Sequence, residues 1–180
     1  MPSSRPVGTF DLDPAHTFVG FSAQHLVVGR VRGRFEAVQG TITVGEDPSA
    51  STIEVTIEAA SITTMLPARD DDLRSAHYLD VERYPIVTYR STATSELPSG
   101  EWLVTGALTL HGVTRSVELT VHFGGAVTDP FSNVRLAFHA RGTITRRDFG
   151  LTHELAKEAG GLFVGKDVAI DIDAEAIRPI

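Results

Sequence analysis

Residues 101 to 123 read EWLVTGALTLHGVTRSVELTVHF. In the second half, Val117, Leu119, Val121 and Phe123 alternate with Glu118, Thr120 and His122. A period of two puts every second side chain on one face of a strand. The first half is apolar at both parities, with Trp102, Val104, Leu108 and Leu110 as its inner set. HGVT between them carries the glycine that a tight connection between antiparallel neighbours requires. The stretch therefore reads as a β-hairpin with one greasy face.

The same alternation recurs along the chain. Val19, Phe21, Ala23 and His25 oppose Gly20, Ser22 and Gln24, with Phe18 as an apolar exception. Ile53, Val55, Ile57 and Ala59 oppose Glu54, Thr56 and Glu58. Leu136, Phe138 and Ala140 oppose Arg135 and His139, and Val168, Ile170 and Ile172 oppose Asp171 and Asp173. In GRVRGRF (29–35), Val31, Gly33 and Phe35 face inward and Arg30, Arg32 and Arg34 are sent outward, read as a solvated face in preference to an anion site. With segments 41–44 and 85–91 the chain holds eight or nine strands, separated by GEDPSA, LPSG and TDPFSN turns. Helical spacing is the exception. LPARDDDLRSAHYLDVERYP (66–85) predicts a helix opened by Pro67 and three aspartates, with Leu73, Ala76 and Leu79 on one face and Pro85 as its stop. A second short helix is expected in THELAKEAGG (152–161), capped by Thr152.

Composition bounds the function. A length of 180 residues with 42% hydrophobic content suits one domain, taken as 10–180 after a flexible segment 1–9. A net charge of −7 opposes general affinity for nucleic acid or anionic membranes. There is no cysteine, so thiolate metal sites and thiol nucleophiles are excluded. The opening MPSSRPVGTFDLDPAH lacks the apolar run of a secretory signal, and no later stretch approaches the length of a membrane span, so the expected location is the cytoplasm, without stable membrane insertion. The seven histidines are scattered, and HELAK lacks the second histidine of a zincin helix, so no metal is expected. No P-loop, G-x-S-x-G or G-x-G-x-x-G motif is present, and no cofactor is expected.

Strands that are apolar on one face must pack as two sheets or close on themselves. A sandwich fills its interior, whereas an eight-stranded barrel has room for a small apolar ligand. Pattern alone leaves both open.

Several stretches, in order, supply more. FDLDPAHTFVGFSAQHL and VRGRF, then RSAHYLDVERYPIVTYRS, GALTLHGVTRSVEL, RRDFGLTHE and GKDVAIDID, resemble the motifs of the YceI-like family over about residues 10–177. The resemblance implies an all-β fold with one or two short helices: an extended, lipocalin-like, antiparallel eight-stranded barrel around an apolar tunnel. It also implies binding, sequestration or transport of a long isoprenoid lipid, of polyprenyl pyrophosphate or isoprenoid quinone type, with no enzymatic step. In that frame the inward residues become tunnel wall: Val19, Phe21, His25 and Phe35, then Val55, Ile57, Trp102 and Leu108, then Leu119, Val121, Phe123, Leu136, Phe138, Ile170 and Ile172. Arg146, Arg147 and Asp148 in TRRDFG, with Lys166, are candidates for a polar head group through charge-assisted hydrogen bonds. Two departures stand out: many family members carry an export signal, and Leu79 stands where an aromatic is common. A homodimer through side strands is compatible with such a barrel, though no residue singles it out. Two rivals remain. One is a dry-cored stress-response or protein-interaction module. The other is an isomerase or hydrolase, for which His25 is the one inward polar group.

Overall fold

In the computed structural model, which describes residues 6–25, 28–153 and 164–179, the alternating segments are strands. In chain order they are β1 (Gly8–Leu12), β2 (Phe18–His25), β3 (Gly29–Phe35), β4 (Val38–Val44), β5 (Thr52–Glu58), β6 (Ile62–Thr63), β7 (Ile86–Glu96), β8 (Trp102–Leu110), β9 (Val113–Thr128), β10 (Asn133–Thr145) and β11 (Val164–Pro179). An α-helix, α1 (Pro67–Arg74), lies between β6 and β7. The first strand starts at Gly8, where Gly8 and Thr9 pair with Val44 and Thr43, so the domain begins before the boundary expected at residue 10.

The strand pairings reduce these segments to eight staves. β2 pairs with β3 and β1 with β4, as two halves of one antiparallel hairpin interrupted by a 3₁₀ turn at Pro14–His16. In the same way β4 pairs with β5 and β3 with β6. Every later stave pairs with its chain neighbour, and β11 returns to the start, pairing with β2 through Ile170↔Phe21 and with β1 through Leu12↔Ala176. The sheet closes into an antiparallel barrel, which removes the edges an open sheet would expose.

Local chemistry sets the turns. His111 and Gly112 both take positive φ (53° and 71°), the requirement of a two-residue hairpin turn whose twist matches its strands. Asp129 shapes the β9–β10 turn by accepting from the backbone N–H groups of Phe131 (2.8 Å) and Asn133 (2.9 Å). The closing seam is held by Arg135 on β10. It donates to Asp13 (2.7 Å), which caps the Pro14–His16 turn, to Glu175 on β11 (3.0 Å) and to Asp129 (2.8 Å).

The helix is shorter than its spacing predicts. Ser75 ends it: its N–H donates to the Asp71 and Asp72 carbonyls while its hydroxyl donates to Asp72 O (2.7 Å) and accepts from His77 N–H (3.2 Å). Turns follow, and they still deliver Leu79 to the core, whereas Ala76 is exposed. Asp70, expected to serve the helix dipole, is buried and grips the preceding chain, accepting from Thr63 Oγ1 and from Thr64 N–H and Oγ1. Burial raises its carboxyl, but those hydrogen bonds outweigh burial and hold it below 3.8. The second expected helix lies largely outside the described residues; Thr152 and His153, at its start, are irregular chain.

One end of the barrel is packed solid. Phe10, Leu136 and Ala176 are fully buried there, with Val44 beside them. Trp102 stacks on Phe123 at 6.4 Å, and Phe123 meets Phe138 at 5.5 Å. The opposite end carries α1, the end of β2 and start of β3 at His25 and Gly29, the His111–Gly112 turn and the Arg146–Phe149 turn that follows β10. Among the described residues, no helix is long and apolar enough to cross a membrane.

Candidate functional site

The inward side chains enclose a cavity of about 400 Å³, which falls in the range of small-molecule sites. Strand parity places Val19, Phe21 and His25 (β2), Phe35 (β3), Val55 and Ile57 (β5), Trp102 and Leu108 (β8) on its wall. Leu119 and Val121 (β9), Phe138 (β10), and Ile170 and Ile172 (β11) complete the expected set that it brings together. Two expected wall residues are elsewhere. Phe123 and Leu136 lie beneath the lumen in the packed end, because alternation fixes a side chain's face but not its height along the barrel.

The lumen is lopsided. Wall residues of β8 and β9, such as Val104 and Val121, are buried, while Val19, Phe21, Ile170 and Ile172 stay half-buried because the void lies against them. Polar atoms midway are matched internally. Tyr89 reaches in from β7 and donates its hydroxyl to Val104 O (3.1 Å), and burial pushes its phenol up to about 12. Thr94 donates to Ser51 O (3.3 Å), and Ser51 Oγ accepts from Gly45 N–H (3.1 Å).

The charged side chains that border the cavity lie at the end opposite the packed floor. His25, Arg69, Asp72 and Arg146 border the cavity there, with Tyr78, whose phenol is raised by burial and then by Asp72. Arg146 is 5% exposed and donates to three backbone carbonyls, Leu151 O (2.6 Å), His153 O (3.1 Å) and Gly165 O (3.1 Å). Arg69 donates to Thr64 Oγ1 (2.7 Å) and Thr64 O (3.1 Å). Among the described residues, neither guanidinium has a carboxylate within ion-pair distance. Asp72 faces His77 (3.7 Å), whose ring stacks on His153 at 4.9 Å and so joins the α1–β7 segment to the chain after β10.

The head-group candidates separate in the structure. Residues Arg146–Phe149 wind into a 3₁₀ turn, which turns Arg146 and Phe149 inward and leaves Arg147 and Asp148 exposed. Lys166 is exposed as well, and none of these three borders the cavity. Sequence reasoning missed Arg69, Asp72 and Tyr78; the one signal for them was the Leu73/Leu79 spacing, which aims that segment at the barrel. The ligand-type atoms of Asp13, His16 and Glu175 lie within 4.8 Å of one another, yet Arg135 already donates to both carboxylates, which disfavours a cation there.

Comparison with known proteins agrees with this geometry. The model of the YceI-like domain matches residues 10–176. Protein YceI of Salmonella newport is 39% identical over 169 residues, covering 93% of this chain and 85% of its own. BcnA of Burkholderia cenocepacia superposes with a TM-score of 0.78 at 20% identity, over 92% of this chain and 99% of that one. A polyisoprenoid binding domain from Saccharophagus degradans superposes with a TM-score of 0.69 at 17% identity, over 97% of this chain and all of that one (100%). With the family model spanning nearly the whole barrel, the chain belongs to the family of YceI-like domains.

Proposed function

We propose that the barrel holds one long-chain isoprenoid lipid, of polyprenyl pyrophosphate or isoprenoid quinone type, and sequesters or carries it without changing it chemically. The observation that carries this reading is the shape and chemistry of the lumen: about 400 Å³, apolar walls, a sealed floor, and charge only at the mouth. Burying an isoprenoid chain contributes about 0.8 kcal/mol per methylene, or about 25 cal/mol per Å², so several units hold the ligand with little polar recognition. A polar end at the mouth would lie near Arg69 and Arg146, neither of which has a carboxylate within ion-pair distance among the described residues. The printed name of the Saccharophagus degradans domain, polyisoprenoid binding, supports the same ligand class. A dry-cored interaction module is disfavoured by the open lumen. Extraction of the purified native chain with organic solvent, followed by mass spectrometry, tests the reading. One isoprenoid-type molecule per chain is expected. A chain that holds no lipid and takes none up from vesicles would overturn it.

A further inference from the structure

The arginines of GRVRGRF remain unexplained by a lipid inside the barrel, since they lie outside it. Arg30, Arg32 and Arg34 are all exposed on β3, and no carboxylate occurs anywhere between Pro14 and Phe35. Among the described residues, Arg34 pairs with Glu36 (2.7 Å), while Arg30 and Arg32 are in no ion pair. In a chain of net charge −7, the described part of this hairpin carries three arginines and no carboxylate of its own, with Asp167 of β11 in the groove that Arg30 lines but outside ion-pair distance.

Large apolar side chains project from the same rim. Val28, beside the hairpin tip, is 93% exposed, and Met65 and Leu66, between β6 and α1, are 84% and 50% exposed. Their exposure is built in. Buried Asp70 fixes Thr63 and Thr64, and Met65 follows with φ at 62°, a left-handed conformation that is costly for a side-chain-bearing residue. Next to these residues, His25 and Arg69 border the lumen. Of the acidic side chains of α1, Asp70 is buried, Asp71 pairs with Arg74 (3.3 Å) and Asp72 lies 3.7 Å from the His77 ring. The sealed end differs: Phe131 (83% exposed) and Val127 (61%) sit beside Asp129, and Arg135 there is engaged by three carboxylates.

We infer that Val28, the arginine-bearing strand β3 and the Met65–Leu66 turn form a docking face for an anionic lipid bilayer, which seats the mouth of the barrel on the membrane. Val28, Met65 and Leu66 enter the headgroup boundary, and Arg30 and Arg32 meet lipid phosphates. The attachment is peripheral and reversible, as a few apolar side chains and cations allow. It rests on the carrier reading, because a membrane is where an insoluble isoprenoid would be collected or delivered.

Flotation with phosphatidylcholine vesicles, alone or with roughly a third phosphatidylglycerol, tests it. The wild-type chain should float with the anionic vesicles at low salt and be released when molar salt cuts the Debye length to about 3 Å. Each lost arginine should weaken binding about fivefold, so Arg30→Ser/Arg32→Ser should lose about 25-fold. Val28→Ser/Met65→Ser should also lose binding, and Phe131→Ser, at the sealed end, should keep it. The inference is overturned if the wild type ignores anionic vesicles, or if Phe131→Ser weakens binding as much as the mouth variants do. It is also overturned if vesicles are ignored while Met65→Ser dissolves a dimer, which would assign the face to a second copy. Lipid content measured on the same samples separates the two readings. A loaded chain that never floats removes the docking face and leaves the carrier, and an empty chain that floats does the reverse.

Discussion

Phe21 lies across the barrel wall over Gly33, its pairing partner on β3, and its ring occupies the space into which a side chain at Gly33 would project. A Cβ there would also stand 2.8 Å from the Thr63 carbonyl oxygen. The glycine thus keeps a large aromatic flat against the wall and the lumen open. Gly33→Val should push Phe21 into the lumen and part β3 from β6, at a cost of about 1–3 kcal/mol. Urea denaturation should show that loss together with reduced lipid loading; unchanged values for both would remove Gly33 from this role.

The packed floor and the lumen wall should respond differently to truncation. Leu136 is fully buried, so Leu136→Ala should cost about 2–5 kcal/mol. Ile170 faces the void, so Ile170→Ala should cost distinctly less, and Ile170→Phe should fill space, hold stability and reduce lipid uptake. Equal losses for the two alanine variants would mean that Ile170 is packed rather than facing a void.

Acid should loosen the closing seam. The Arg135 guanidinium holds the Asp13 carboxyl below its ordinary 3.8 against the opposing effect of burial, and hydrogen bonds from Asn133 and Arg135 hold Asp129 lower still. The unfolded chain takes up these protons first, so the seam's contribution is complete above about pH 3.8 and disappears as pH falls through the folded values. Arg135→Leu should lower stability at neutral pH and flatten the loss below pH 4. Denaturation curves across pH 3–7 check this; parallel curves for both proteins would contradict it.

Alkali reads the opposite wall. Burial moves Tyr89 from 10.0 to about 12, so its neutral phenol stabilises the fold fully below pH 10, and that contribution is lost as pH rises toward 12. Ultraviolet titration should show a tyrosine ionising near pH 12 that vanishes in Tyr89→Phe. That variant also loses the bond to Val104 O, a cost of about 1 kcal/mol.

Much of this was legible in sequence because strand parity is local: Val117, Leu119 and Val121 alternate with polar residues and fall on the inner face as read. What parity lacks is height, and so Phe123 and Leu136 were placed on the wall rather than in the floor. Where backbone leaves the strand, parity fails: the 3₁₀ turn at Arg146–Phe149 sends Arg146 in and Arg147 out. The spacing of Leu73, Ala76 and Leu79 stays helical past the end of α1, although Ser75 stops the hydrogen-bond ladder. The seam was invisible, since Asp13 and Arg135 lie 122 residues apart and no local pattern joins them.

Trp102 offers the most direct test, as it is the chain's single tryptophan and borders the lumen deep in the barrel. Titration of delipidated protein with an isoprenoid chain brominated at its tail should quench Trp102 emission and saturate at one molecule per chain, while a bromide salt in solution quenches little. Emission that stays unchanged as the brominated chain is added, with the barrel still folded, would mean that no lipid enters the interior.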